Sequence, residues 1–126
     1  MNNLITILIL ALTISFYIFK RERMNENSIS VDLLRDKLKT EDNIGIIDVR
    51  TINEYNGPKG YIQGSINIPL SNISNHLKDI KLRKFKEIYV ICLSGARSAS
   101  AISILSDSKI NAQNVKGGII AWNKMK

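Results

Sequence analysis

At 126 residues the chain has room for one compact domain. Its 18 lysines and arginines exceed its 11 acids, for a formal charge of +7, yet no arginine-rich run interleaved with aromatics marks a nucleic-acid surface. One cysteine, Cys92, and one histidine, His76, exclude an internal disulfide and leave too few ligands for a Cys/His zinc site. Neither a metal nor a cofactor is expected, and any triad that needs histidine would have to use His76.

Residues 4–19 (LITILILALTISFYIF) carry no charge, and their polar members are Thr6, Thr13, Ser15 and Tyr17. At about 1.5 Å per residue a helix over this run reaches only part of a roughly 30 Å hydrocarbon core, so the span is short. Phe16, Tyr17 and Phe19 stand where an interfacial aromatic belt would, and Lys20, Arg21 and Arg23 follow around Glu22. No basic side chain precedes the run, and no small-residue cleavage site follows it, which favours an uncleaved anchor over a removed signal peptide or a buried core helix. The basic cluster then directs the remainder to the cytoplasmic side. The expected organisation is residues 1–23 as membrane anchor and basic stop, 24–28 as a polar linker, and 29–126 as the folded domain.

Beyond the linker, β-branched runs alternate with helical spacing. Ser30 is placed to N-cap a helix through residue 39, with Leu34 and Leu38 on one face. Residues 44–49 (IGIIDV) form a continuous apolar run, the pattern of a strand covered on both faces. Residues 65–68 alternate briefly before Pro69, and Ile73, Leu77 and Ile80 then repeat at helical spacing, with His76 on the solvent side of that helix. Residues 78–87 are densely charged and read as a solvated stretch. A second buried strand covers 88–92, a small-residue helix 98–105, a last strand 113–116 and a terminal helix 119–124, in which Trp122 reads as core packing. Strands separated by helices imply an α/β domain with a mostly parallel central sheet flanked by helices, and sites in such sheets lie beyond the carboxyl ends of the strands. Cys92 falls there.

The segment Cys92-Leu93-Ser94-Gly95-Ala96-Arg97-Ser98 joins a strand to a helix expected to begin near Arg97 or Ser98. The first N–H groups of a helix lack intrahelical acceptors, and a glycine at positive φ lets successive N–H groups converge into an anion-binding nest. A Cys92 thiolate in that nest, beside Arg97, is expected to titrate below the ordinary thiol range. The same cradle would stabilise an anionic persulfide. The alternative is a buried structural cysteine.

These residues resemble the rhodanese-like family, and the resemblance extends from about Ile29 to Lys124, nearly the whole of the chain beyond the anchor and linker. Asp48-Val49-Arg50 is similar to its D-x-R, and Glu54-Tyr55 with residues 60–69 (GYIQGSINIP) to its E-[FY]…G-H-I-x-G-A-x-N-I-P. Residues 92–98 are similar to its C-x-x-G-x-R-S loop, and 117–122 to its closing G-G-x-x-x-W. The resemblance implies a rhodanese-like three-layer fold and sulfur transfer from a thiosulfate or persulfide donor to cyanide or a thiol. Cys92 is then the nucleophile that becomes a persulfide, and Leu93, Ser94, Gly95, Ala96 and Ser98 build the substrate-binding loop. Arg97 assists the donor, and Asp48 and Arg50 form a supporting ion pair, with an Arg50–Glu54 contact compatible with the spacing. Tyr61 stands where the family often has histidine, so a role of that histidine does not carry over. With one cysteine, the persulfide cannot be resolved as an internal disulfide, so sulfur must pass to an outside small or protein thiol.

Two other readings compete. A cysteine phosphatase or arsenate reductase also presents N–H groups and an arginine to an anion, but such loops place five residues between Cys and Arg, whereas four separate Cys92 from Arg97. A catalytically idle rhodanese-like module would retain the loop as a docking surface at the membrane.

Overall fold

The computed structural model describes residues 2–125, and for 23–26 the backbone alone. The outer ends of the expected segments, residues 1 and 126, and the Arg23 side chain of the basic stop lie outside the described set. The first helix, α1 (Asn2–Glu26), is longer than the apolar run that motivates it and continues through the basic residues. Its stretch Asn2–Glu22, 21 residues at a mean hydropathy of 1.9, is long and apolar enough to cross a membrane.

A five-stranded parallel sheet forms the centre of the domain, in the order β1 (Ser28–Ile29), β5 (Gln113–Val115), β4 (Glu87–Ile91), β2 (Ile44–Asp48), β3 (Ile66–Asn67). Strand β1 has no counterpart in the sequence reading, because a two-residue edge strand is too short to show alternation. The helices α2 (Val31–Thr40), α3 (Ile52–Tyr55), α4 (Leu77–Leu82), α5 (Ala96–Asp107) and α6 (Gly118–Lys124) fill the connections. Ser30 caps α2 as expected, accepting the Leu33 N–H at 3.2 Å. The helical spacing from Ile73 to Ile80 resolves into a 3-10 helix over Leu70–His76 followed by the single short helix α4. His76 lies at the junction and its Nδ1 pairs with the Asn72 carbonyl.

The period-2 geometry of strands divides the core into two layers. Ile88 and Val90 of β4 and Ile47 of β2 join Ile73, Ile80, Ala101 and Leu105 on the face covered by the 3-10 helix, α4 and α5. Tyr89 and Ile91 with Ile46 join Leu34, Val115 and Ile119 on the face covered by α2 and α6, where Trp122 packs half-buried with the Arg35 guanidinium 5.0 Å from its ring. Helices on both faces of a parallel sheet make the three-layer α/β architecture. Cys92 continues the phase of Ile88 and Val90, so its side chain enters the layer beneath α5 just past the carboxyl end of β4.

Candidate functional site

The register of β2 and β4 sets Asp48 opposite Ile91, so the two strands end together and Cys92 follows directly after that last pair. The Asp48 and Arg50 side chains are 0% and 1% exposed and form the expected ion pair, with Arg50 Nη2 2.8 Å from Oδ2 and Nε 3.0 Å from Oδ1. Arg50 also donates to the Gly60 carbonyl at 2.8 Å and to the Glu54 carbonyl at 3.4 Å. Each charge thus has hydrogen-bonding partners, the condition on which a buried ion pair is tolerated. Asn67 ties β3 to the same corner by donating to the Asp48 and Arg50 carbonyls at 3.0 and 2.9 Å.

The loop after Cys92 turns at Gly95, whose φ of +120° is a conformation L side chains rarely adopt. Helix α5 begins at Ala96, one residue before the expected start. The Gly95 N–H donates to Cys92 Sγ at 3.0 Å, and Ser98 Oγ lies 3.3 Å from Sγ on the other side. Cys92 itself is 1% exposed. Burial pushes its thiol up, and hydrogen bonds from Ser98, Gly95 and Ser94 outweigh that effect and hold it below the ordinary value. The direction is the one expected from the sequence, but Arg97 is not among its leading causes.

Arg97 is instead engaged elsewhere. Its Nη1 and Nη2 donate to Glu54 Oε1 and Oε2 at 3.1 and 2.9 Å, a two-point ion pair between α5 and α3. The Arg50–Glu54 contact runs through the Glu54 backbone carbonyl, and the carboxylate belongs to Arg97. The bond to Glu54 raises the Arg97 guanidinium above its usual range, and attraction to Cys92 and Asp48 adds to that, so Arg97 lies within electrostatic reach of the thiol.

Two partners of the loop escaped the sequence reading. Asn114 on β5 accepts from Ser98 Oγ at 2.6 Å through Oδ1 and donates to the Gly95 carbonyl at 3.1 Å through Nδ2. The Ser98 hydroxyl carries one hydrogen. With Cys92 as a thiol, S–H can donate to Ser98 while Ser98 donates to Asn114; with a thiolate, the hydroxyl turns to Sγ. The second partner is the start of α6, where the N–H groups of Ile119 and Ile120 donate to the Cys92 and Leu93 carbonyls at 2.9 and 3.2 Å. Gly118 has φ +57°, and a methyl group there would overlap those two carbonyl oxygens. The paired glycines of the closing motif therefore let α6 grip the carbonyl side of the loop, while the Gly95 N–H faces the sulfur.

The remaining loop residues, Leu93, Ser94 and Ala96, form the outer turn, half-buried or exposed. Tyr61 is half-exposed and stacks on Tyr55, centroids 4.3 Å apart at 14°, while the Tyr55 hydroxyl donates to the Ser65 carbonyl at 2.9 Å. Among the described residues no group of three or more His, Cys, Asp or Glu converges to hold a metal ion.

Comparison with known proteins agrees with this fold. The family model described as "Rhodanese-like domain" matches residues 30–125. A protein of Allochromatium vinosum named "Sulfurtransferase" is 30% identical over 97 residues, covering 76% of this chain and 87% of that protein. YrkF of Bacillus subtilis (strain 168), provisionally named a sulfur carrier protein, is 35% identical over 107 residues, covering 80% of this chain and 56% of YrkF, so the match spans little more than half of that relative. The crystal structure of a rhodanese-related protein from Thermoplasma volcanium superposes with a TM-score of 0.68 at 34% identity, covering 79% of this chain and 92% of that one. With the parallel sheet, the loop at Cys92 and the closing glycines all in place, the chain belongs to the rhodanese-like domain family.

Proposed function

We propose that the protein is a sulfurtransferase that carries sulfane sulfur as a persulfide on Cys92. The observation that carries this reading is the setting of one buried sulfur: the Gly95 N–H donates to it and the Ser98 hydroxyl lies 3.3 Å away, able to turn its hydrogen to a thiolate, which together favour Cys92 as an anion. A Cys92 thiolate attacks the outer sulfur of thiosulfate or of a thiol persulfide. A new S–S bond forms at Cys92, the donor's own S–S bond breaks, and sulfite or a thiolate leaves with the electron pair. The persulfide then gives its outer sulfur to cyanide or to a thiol, which restores the Cys92 thiolate. In this reading Leu93 through Ser98 form the substrate-binding loop, Cys92 and Arg97 act on the donor, and Asp48 with Arg50 supports the loop from below. The domain works at the membrane surface and faces the cytoplasm, anchored by α1; the expected linker 24–28 shrinks to Asn27, since α1 runs to Glu26 and β1 begins at Ser28.

Intact-protein mass spectrometry of the full-length chain in detergent, without reductant, tests the persulfide. Incubation with a sulfane donor should add one sulfur that dithiothreitol or cyanide removes, and Cys92→Ser should take none. A wild-type chain that stays unmodified would redirect the reading to a docking module. The anchor is tested separately by an alkaline carbonate wash, in which the full-length chain should stay with the membrane pellet; release into the supernatant refutes it.

A further inference from the structure

The Arg97 guanidinium does not stand free beside the loop. Its two outer nitrogens face the two oxygens of Glu54 in the parallel arrangement that gives arginine–carboxylate pairs their geometric specificity. Glu54 is itself held. Thr51 caps the short helix α3 by accepting the Glu54 N–H, and the Glu54 carbonyl accepts from the buried Arg50. The carboxylate is thus delivered to Arg97 by a segment anchored on the buried ion pair.

This pairing has a consequence for the donor. A guanidinium whose paired N–H groups already face a carboxylate offers little to a second anion, and the pair as a whole is nearly neutral. Thiosulfate, a dianion, must displace the Glu54 carboxylate or accept its repulsion. The hydropersulfide of a thiol is attacked at its outer sulfur in the neutral R–S–SH form, which brings no charge to the pair and makes no such demand. We infer that Glu54 is a positioning residue that sets donor specificity: by occupying Arg97 it directs the Cys92 loop to thiol persulfides and away from thiosulfate. This rests on the sulfur-transfer reading above. The favoured step is attack of Cys92–S⁻ on the outer sulfur of R–S–SH, giving Cys92–S–SH and R–S⁻, with no further oxidant or reductant. The pair is also open to exchange, since its side chains are 33% and 40% exposed and an ion pair at the surface is only weakly held.

The test compares the full-length chain with Glu54→Gln, a nearly isosteric change at a half-exposed position, by the rate of sulfur loading on Cys92. The donors are thiosulfate and the hydropersulfide of 2-mercaptoethanol, each at low and high salt. Wild type should load faster from the hydropersulfide. In Glu54→Gln, thiosulfate loading should rise about tenfold through a lower half-saturating concentration at an unchanged plateau rate, and the gain should shrink at high salt as the freed Arg97 charge is screened. Hydropersulfide loading should change less than about twofold, because the reacting R–S–SH form is uncharged and does not feel the uncovered guanidinium. A purely structural role for Glu54 would move both donors together and would not create a salt-dependent split. Faster wild-type loading from thiosulfate, equal changes for both donors, or no response of thiosulfate to the substitution overturns the inference while Cys92 still loads. Absence of loading from either donor overturns the sulfur-transfer reading and this inference with it.

Discussion

Two arginines stand near the carboxyl ends of β2 and β4, each held by a carboxylate, and they do opposite work. Arg50 and Asp48 are separated by one residue, wholly buried, and surrounded by further acceptors at Glu54 and Gly60. Arg97 and Glu54 are 43 residues apart, and their side chains are a third or more exposed. Burial makes the first pair a fixed strut, because neither charge can be left alone in a low-dielectric interior. Exposure makes the second exchangeable, because water can replace either partner. The same chemistry thus gives a buried strut in one place and an exchangeable surface pair in the other.

The largest expected effect breaks the strut. Arg50→Met leaves Asp48 buried without its guanidinium and should destabilise the fold by about 3–5 kcal/mol, measured as a shift in urea unfolding. A loss similar to that of an exposed substitution would show that water reaches Asp48 and would erase the contrast between the pairs. The next effect, about tenfold, concerns the thiol. The thiolate is the reactive form, so the rate of alkylation of Cys92 should rise with pH and reach half its plateau below the ordinary thiol midpoint. Ser98→Ala removes a donor to the thiolate, moves that midpoint upward, and should slow alkylation near neutral pH by about tenfold. Should Arg97→Met move the midpoint further than Ser98→Ala does, the arginine charge and not the hydroxyl would be the main support of the thiolate. The smallest effect is on stability: Arg97→Met should cost less than about 1 kcal/mol in the same urea experiment that unfolds Arg50→Met early.

Much of this site was visible before folding. The apolar run ending at Asp48 and the run leading into Cys92 each read as buried strands because covered parallel strands carry hydrophobic residues on both faces. Gly95 read as a turn at positive φ, and the Asp48–Arg50 pair was an expectation of the family resemblance that the structure bears out as a contact. Four features did not read. The edge strand β1 and the single-turn α3 are shorter than any period they could display. The charge next to Cys92 suggested that Arg97 lowers the thiol, whereas Glu54 claims the guanidinium and Ser98 with the backbone does that work. Asn114 looked like one residue of a short strand, yet it holds both Ser98 and the Gly95 carbonyl.

The division has a physical basis. Strand and helix patterning, the turn at Gly95 and the apolar N-terminal run depend on residues within a few positions of one another, so the order of residues alone determined them. Which carboxylate meets Arg97, which side chain steadies Ser98, and why two glycines stand at the start of α6 depend on segments brought together from 43, 16 and 27 positions away. Those partners are chosen by the packing of the sheet and the register of its strands. Only the tertiary structure could decide that one arginine would be buried with its carboxylate and the other would meet a distant carboxylate at the surface.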